Sequence, residues 1–204
     1  MTHAAPPHSA ALRVEPVAGA ALSDLLPELA ALRIEVFRAY PYLYDGDLAY
    51  ERAYLSGYAR QEGAVVVGAW DGARLVGAAT GAPLHGQKGA WARPFEERGY
   101  DVREIFYCGE SVLSPEYRGR GVGHAFFDHR EAHARTLGLT RSTFCGVIRP
   151  EDHPARPADF RPLDAFWRKR GYAPLEGVVA SFEWREVGRS DETPHDLQFW
   201  IRDL

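Results

Sequence analysis

The sequence predicts an α/β (α+β) fold in which a mixed β-sheet is flanked by helices. Strand-like runs alternate along the 204 residues with segments of helical periodicity, of which the region 20–40 is the longest. Two β-rich runs are joined around Asp71-Gly72, which is a typical hairpin signal. Another apolar run, Ile105–Leu113, passes through a glycine-rich turn directly into a helical pattern. These three observations together favour a sheet with helices packed on it.

The predicted elements follow the order β-α-α-β-β-(α)-β-α-β-α-β-β. The strands are predicted at 12–17, 64–70, 74–83, 105–113, 140–148, 178–184 and 197–201. Helices are predicted at 20–40, at 121–137 and at 163–170. A further helix is predicted to follow the loop 40–47 and to end at about residue 58. The segment 87–99 is predicted to be a short helix or an irregular insertion. In the first helix Leu22, Leu25, Leu29 and Val36 recur at helical spacing. Gly138 is the expected C-cap of the helix 121–137.

Composition and charge are those of an ordinary globular protein. Apolar residues make up 46% of the chain, charged residues 25%, and the net charge is −4. No basic run favours nucleic-acid binding, no apolar stretch is long enough to span a membrane, and the N-terminus does not read as a signal peptide. We therefore expect a cytoplasmic protein with a flexible tail at 1–10 and a single domain at 11–204, which could form a homodimer.

Metal and disulfide chemistry are not expected. Cys108 and Cys145 lie in apolar strand-like runs, where buried reduced thiols are the ordinary case. His129 and His133 stand four residues apart on one predicted helix, but the run H-R-E-A-H does not match the zinc motif H-E-x-x-H. Partly buried, hydrogen-bonded histidines are the better interpretation, and no metal is predicted.

A glycine-rich stretch after the strand 105–113 predicts a phosphate site. It reads E-S-V-L-S-P-E-Y-R-G-R-G-V-G and ends with Arg118, Gly119, Arg120, Gly121 and Gly123. A strand, a glycine turn and a helix start together present backbone N–H groups and a positive helix end to an anion. The dinucleotide fingerprint G-x-G-x-x-G and the P-loop pattern both fail here.

The stretch matches R-x-x-G-x-G at Arg118, Gly121 and Gly123, preceded by S-P-E-Y. In these residues, and in the later segment F-W-R-K-R-G-Y at 166–172, the sequence resembles the GNAT superfamily of acyl-CoA-dependent N-acetyltransferases. The resemblance implies a twisted mixed sheet of about six to seven strands that splays between the fourth and fifth strands. It also implies that acetyl-CoA is the co-substrate.

The same resemblance assigns the residues that would bind the cofactor. The backbone of Val112 and Leu113 would hold the pantetheine arm in the splay. The pyrophosphate would lie on the loop of Arg118, Gly119, Arg120, Gly121, Val122 and Gly123.

Glu110 is the candidate general base. It is the only carboxylate on the apolar central strand, and the resemblance implies that a glutamate there deprotonates the amine through a water molecule. The alternative is an ion pair between Glu110 and an arginine of the loop 149–161. Trp167 stands where the family commonly carries a tyrosine as general acid, and an indole N–H is not a useful acid. Water, Tyr107 or Tyr172 remain possible proton donors.

The acceptor side is predicted from an aromatic loop at 40–47. Tyr42, Tyr44 and Asp45 would suit a cationic amine through ring faces and carboxylate, and Trp167 is a further substrate candidate. The arginines of the loop 149–162 could instead favour a substrate carboxylate or the 3′-phosphate of the cofactor, so the residues leave the acceptor open.

We therefore expect an acetyltransferase that moves an acetyl group from acetyl-CoA to the amine of a small molecule by direct attack in a ternary complex. Two other functions remain open at this stage. One is a non-catalytic acyl-CoA-binding or sensing module, which Trp167 favours. The other is a protein N-acetyltransferase, which an open cleft would favour.

Overall fold

A computed structural model describes residues 12–17, 20–86 and 91–204. Its strands are β1 Arg13–Val17, β2 Val65–Asp71, β3 Arg74–Pro83, β4 Ile105–Leu113, β5 Arg141–Val147, β6 Ala173–Arg185 and β7 Glu192–Asp203. Its α-helices are α1 Ala20–Phe37, α2 Leu48–Ala59, α3 Arg93–Glu96, α4 Val122–Thr136 and α5 Asp164–Lys169. The predicted tail at 1–10 lies outside the described residues.

The described strands form one seven-stranded sheet in the order β1-β2-β3-β4-β5-β7-β6. The pair β4–β5 is parallel, because α4 connects the two strands, and the other neighbouring pairs are antiparallel. The predicted mixed sheet flanked by helices is confirmed.

The last two strands are longer than the sequence predicted. β6 and β7 contain 13 and 12 residues and form a long hairpin, whereas the apolar pattern indicated only 178–184 and 197–201. The missed start of β6, A-P-L-E-G, contains proline and glycine and has no apolar alternation, and the missed start of β7, E-T-P-H-D, is mostly polar, so neither gives a strand pattern. In the predicted insertion, α3 occupies only four residues, and residues 87–90 lie outside the described part of the chain.

β4 and β5 separate soon after they begin. Their pairing consists of Ile105 with Arg141, Phe106 with Ser142 and Tyr107 with Thr143. From Cys108 onward, β4 is paired only with β3 among the described residues. This confirms the predicted splay between the fourth and fifth strands, and it leaves one edge of β4 available to a ligand.

A β-bulge in β4 coincides with the start of the splay. Ala79 of β3 is opposite Ser111 and Gly81 is opposite Cys108, so that Gly109 and Glu110 together face Thr80. In a regular strand, residues three apart point to opposite faces of the sheet. The extra residue changes this alternation, and both Tyr107 and Glu110 line the same cavity.

The guanidinium of Arg130 holds the bulge from the other side of the sheet. Arg130 lies on α4 and is 1% exposed. Its Nη1 atom donates to the carbonyl oxygens of Thr80 at 3.1 Å and Glu110 at 3.2 Å, and its Nη2 atom donates to Oγ of Ser111 at 3.0 Å. A bulge leaves strand carbonyls without ladder partners, and Arg130 supplies donors for two of them.

The helices pack on opposite faces of the sheet. α4 covers one face, where Val122 and Phe126 join the main hydrophobic cluster. α1 and α2 cover the other face, where Leu29 and Leu55 pack against Val112 of β4. No α-helix within the described ranges has the length and apolar character needed to cross a bilayer. The single domain, the homodimer and the cytoplasmic location stay predictions.

Arg130→Met tests the clamp on the bulge. Methionine keeps the apolar stem but leaves the buried carbonyls of Thr80 and Glu110 without a donor, so we expect a loss of about 3 kcal/mol or more in the free energy of unfolding. Urea denaturation measures it. Arg135→Met is the matched control, because Arg135 is exposed on the same helix, and it should change stability by about 0.5 kcal/mol at most. Equal stability of the two variants would contradict the role of Arg130.

Candidate functional site

A cavity of about 240 Å³ lies where β4 and β5 diverge, on the face of the sheet that α1 and α2 cover. Its walls come from α1, α2, the segment 42–44, Trp91 and strands β4 to β7. Nine of its sixteen lining residues are aromatic. The cavity joins distant parts of the chain at the open edge of β4.

Arg33 connects two carboxylates at this cavity. Its Nε atom donates to Oε2 of Glu51 at 2.5 Å, and its Nη1 atom lies 2.5 Å from Oε1 of Glu110. The exposed fraction of the side chain is 10% for Arg33, 1% for Glu51 and 7% for Glu110. Burial acts against the charged guanidinium, but Glu110, Tyr54 and Glu51 keep the pKa of Arg33 above its usual value. We call this group the Glu51–Arg33–Glu110 bridge.

The ion-pair partner of Glu110 is therefore Arg33 of α1, and not an arginine of the loop 149–161 as the alternative proposed. Arg149 of that loop is directed elsewhere. It donates to the carbonyl oxygens of Pro41 at 2.7 Å and Tyr42 at 3.0 Å, and it pairs with Glu186 at 2.6 Å. Arg149 thus fastens the aromatic loop to β6.

The structure brings two of the four predicted substrate residues to the cavity. Tyr42 and Tyr44 line it. Asp45 is not part of the lining, and its carboxylate accepts hydrogen bonds from Arg38 at 3.2 Å and Arg185 at 3.1 Å.

Trp167 also lies outside the lining. It packs between Phe144 and Trp200, with ring centroids 4.9 and 5.1 Å away, and its ring covers Gly146 of β5. Substrate contact by Tyr42, Tyr44, Asp45 and Trp167 stays a prediction.

The two tyrosines considered as proton donors occupy different environments. Tyr107 lines the cavity, and its hydroxyl lies 3.4 Å from Sγ of Cys145. Burial raises the pKa of Tyr107 well above its usual value and raises the pKa of the Cys145 thiol to about 12. The hydroxyl of Tyr172 lies within hydrogen-bond distance of Glu131 and Ser142, outside the cavity lining. Tyr107 is the one that faces the site.

The glycine loop before α4 has the geometry of an anion site. Gly119 and Gly121 have φ values of 75° and 82°, in the left-handed region that glycine tolerates. Gly121 is the N-cap of the 15-residue helix α4, and no side chain caps that end. Arg118 and Arg120 are both exposed. The N–H groups at the start of α4 thus face outward with two cations beside them, which suits a pyrophosphate.

Val122 and Arg120 differ from each other in what they could offer a ligand bound at the predicted loop. The side chain of Val122 is 3% exposed and belongs to the core, so only its backbone can serve a ligand. Arg120 lies over the ring of Tyr117 at 5.2 Å and donates to the carbonyl oxygen of Glu116. The hydroxyl of Tyr117 in turn donates to Asp71 at 2.9 Å, which ties the loop to the β2–β3 turn.

Among the described residues, no group of three or more His, Cys, Asp or Glu side chains could hold a metal ion. The histidines at the i and i+4 positions of α4 lie beside backbone carbonyls. Nε2 of His129 is 3.2 Å from the oxygen of Val14, and Nε2 of His133 is 3.0 Å from that of Gly63.

Two parallel strands that separate, with a glycine loop at the start of the helix that connects them, are typical of a class of acyl-CoA-binding proteins. The model of the acetyltransferase (GNAT) family matches residues 28–172. The chain belongs to the GNAT acetyltransferase family. A search of curated proteins finds no match.

Solved structures show the same fold at low sequence identity. A ribosomal-protein-alanine N-acetyltransferase from Brucella melitensis is 19% identical, with a TM-score of 0.60 and coverage of 93% of this chain and 99% of that one. An acetyltransferase from Thermus thermophilus is 14% identical, with a TM-score of 0.59 and coverage of 97% and 99%. A proposed acetyltransferase from Salmonella typhimurium, solved with its cofactor acetyl-CoA, is 15% identical, with a TM-score of 0.58 and coverage of 96% and 95%.

Sequence reasoning missed most of the cavity wall. Arg33 and Glu51 did carry a signal, because Arg33 follows the buried Leu29 by four residues and Glu51 precedes the buried Leu55 by four. A charged residue on the apolar stripe of a helix is unusual and points to a buried ion pair. Trp91 had no such signal, since it lies in an irregular segment.

Gly121→Glu tests the pyrophosphate loop. An added Cβ at Gly121 meets open space, so the variant places a carboxylate at the anion site without a steric clash. We expect the Kd for acetyl-CoA to rise at least about tenfold by calorimetric titration.

Gly138→Glu is the matched control, because Gly138 also has a positive φ (75°) and open space, just after the other end of α4. Both variants should lose about 1–2 kcal/mol of stability through the left-handed backbone. Equal acetyl-CoA affinities in the two variants would contradict the assignment of the loop.

Proposed function

We propose that this protein transfers the acetyl group of acetyl-CoA to the amine of a small molecule by direct attack in a ternary complex. The observation that carries the proposal is the position of Glu110. Its carboxylate lines the cavity beside the point where β4 leaves β5, on the face opposite to α4. An amine in the cavity and a thioester in the strand opening would meet beside this carboxylate.

The chain has groups that suit the pyrophosphate, the pantetheine arm and the acetyl carbonyl of acetyl-CoA. Arg118, Arg120 and the N–H groups from Gly121 to Gly123 would bind the pyrophosphate. The free edge of β4 would hydrogen-bond the pantetheine amides, with Val112 and Leu113 contributing on the side that does not face β3. An N–H group of the same edge would stabilise the oxyanion of the tetrahedral intermediate. The relative from Salmonella typhimurium that holds acetyl-CoA supports this choice of cofactor.

The reaction needs an unprotonated amine, because an ammonium ion has no lone pair. Glu110 accepts the proton, directly or through a water molecule. The nitrogen attacks the thioester carbonyl, the C–N bond forms and the C–S bond breaks, and the sulfur leaves as a thiolate. The Tyr107 hydroxyl, whose raised pKa keeps it protonated, donates a hydrogen bond to that sulfur. As the tetrahedral intermediate collapses, the nitrogen loses its second proton, which passes through water to the thiolate, and Glu110 releases the first proton to solvent.

The Glu51–Arg33–Glu110 bridge positions the base. A buried carboxylate needs a partner, and Arg33 fixes one oxygen of Glu110 while Glu51 fixes Arg33. This limits the rotamers of Glu110 and directs its carboxylate at the cavity. A non-catalytic acyl-CoA-binding module would have no use for an acidic group held in this way.

A small acceptor is favoured over a protein because the aromatic loop, which contributes Tyr42 and Tyr44 to the cavity lining, is fixed against the end of β6. The backbone N–H of Asp45 donates to the oxygen of Arg185 at 2.9 Å, and that of Val187 donates to the oxygen of Leu43 at 2.8 Å. These bonds join the aromatic loop to the end of β6 and hold Tyr42 and Tyr44 at the cavity wall. The relative from Brucella melitensis is named for a protein acceptor, so the protein N-acetyltransferase remains the second candidate.

Glu110→Gln tests the base. We expect unchanged acetyl-CoA affinity and a kcat lowered by about a hundredfold or more, because the amide cannot accept the proton. The loss should be largest at low pH, where little free amine exists in solution, and smaller as the pH rises. Steady-state kinetics across pH would measure it.

Glu51→Gln is the matched variant, because it breaks the other half of the same bridge and keeps Glu110. Its main effect should be a raised KM for the amine. A pH–rate profile of Glu110→Gln that matches the wild type would remove Glu110 from the base role.

Direct attack also predicts that no cysteine acts as a nucleophile. Burial raises the pKa of the Cys145 thiol to about 12, so at pH 8 the thiol form strongly predominates. Iodoacetamide at pH 8 should leave Cys108 and Cys145 unmodified in the native protein and should alkylate both after unfolding, as mass spectrometry would show. Rapid native alkylation of one cysteine that acetyl-CoA blocks would instead indicate an acetyl-cysteine intermediate.

A further inference from the structure

The charges and rings of the cavity narrow the chemistry of the acceptor. We infer that the acceptor is a primary amine joined by a short alkyl chain to an aromatic ring, with one positive charge and no carboxylate. This inference rests on the proposed function, since it names the substrate class of the same site. The charge balance, the lack of an anion partner and the arrangement of the rings each support it.

The buried charges of the cavity leave one negative charge without a partner. The Glu51–Arg33–Glu110 bridge contains two carboxylates and one guanidinium. The Oε1 atom of Glu51 is buried and has no ion-pair partner among the described residues, and the Tyr44 hydroxyl, whose pKa burial and the Glu51 carboxylate raise, is the neutral group beside this carboxylate. Buried carboxylates without full compensation are costly. A single ammonium group bound between Glu51 and Glu110 would supply the missing cation.

A carboxylate on the acceptor would have no partner. Among the described lining residues, Arg33 is the only lysine or arginine, and both of its carboxylate contacts are already made. Arg149 is held by Glu186 and two carbonyl oxygens. An α-amino acid would therefore place a third carboxylate beside Glu51 and Glu110, with Arg33 as the only cation among the described lining residues to offset the repulsion. This argues against free amino acids as acceptors.

The remaining space is bounded by two groups of rings. In the first, Trp91 stacks on Phe182 with centroids 4.1 Å apart and contacts Tyr107 at 4.7 Å. In the second, Tyr42 contacts Phe37 at 4.6 Å and Trp184 at 6.0 Å. Aromatic rings grouped at these distances favour the binding of an acceptor that itself contains an aromatic ring.

The volume also limits the acceptor. A cavity of about 240 Å³ is smaller than the range of roughly 300–1,000 Å³ that is usual for drug-sized ligands. It therefore suits one ring with a short amine chain.

Binding to the wild-type protein tests the inference without any substitution. The protein is saturated with CoA, which lacks the acetyl group, and is titrated calorimetrically with 2-phenylethylamine. Three matched ligands each change one property: 2-phenylethanol lacks the charge, phenylalanine adds a carboxylate, and 2-cyclohexylethylamine lacks the aromatic faces.

We expect 2-phenylethylamine to bind at least about tenfold more tightly than the alcohol or the amino acid. We expect it to bind a few times more tightly than the cyclohexyl amine, about two- to tenfold. Equal or tighter binding of phenylalanine, or of the aliphatic triamine spermidine, would overturn the inference.

A charge variant then locates the ammonium. Glu51→Gln should reduce the preference for 2-phenylethylamine over 2-phenylethanol by about tenfold, because it removes the uncompensated charge. Glu35→Gln is the control, since Glu35 is exposed on α1 and should preserve the preference. An unchanged preference in a folded Glu51→Gln protein would place the ammonium elsewhere.

Release of CoA thiol from acetyl-CoA separates this inference from the proposed function. If 2-phenylethylamine binds but no thiol is released, the cavity chemistry is correct and the transferase function is wrong. If other amines release thiol while 2-phenylethylamine neither binds nor reacts, the function holds and the substrate class is wrong. The transferase function and the substrate class are both supported if 2-phenylethylamine binds and reacts with a higher kcat/KM than phenylalanine or spermidine.

Discussion

The hydrogen bonds that Arg130 donates to two strand carbonyls are the constraint on which the site depends. They hold a bulge at Gly109 and Glu110, and the bulge has two consequences. It turns Glu110 to the same face as Tyr107, and it stands where β4 loses its pairing with β5. A regular β4 would direct Glu110 toward α4. The position of the Glu110 carboxylate thus depends on a buried charge on the opposite side of the sheet.

A second buried charge, Arg33, connects the helical layer to the sheet. It joins Glu51 of α2 to Glu110 of β4, and its guanidinium lies over the rings of Phe37 and Tyr54 at 5.2 and 4.8 Å. Such a bridge is weak evidence for stability, because desolvation offsets much of its attraction. Its contribution is to geometry, since it restricts the orientation of the Glu110 carboxylate and leaves the buried charges of the cavity with a net negative sum.

The fold was largely predictable because its main signals are local. The hairpin at Asp71-Gly72, the leucines of α1 and the run from Ile105 to the glycine loop each reflect short-range periodicity or turn chemistry. Glu110 was found for the same reason, as a lone carboxylate on an apolar strand. Its partner was not found, because the contact between Arg33 and Glu110 depends on how α1 lies on the sheet. The aromatic wall was missed likewise: Trp91 and Phe182 meet only after the β6–β7 hairpin has folded over α3.

In the proposed reaction, the thioester and the amine meet beside Glu110 at the opening between β4 and β5. A crystal structure of the protein with CoA and an acetylated amine product would test this. We expect the pyrophosphate on the loop from Arg118 to Gly123, the thiol in the strand opening, and the amide nitrogen of the product next to Glu110. A thiol directed toward Trp167 and α5, or a product bound outside the cavity, would contradict it.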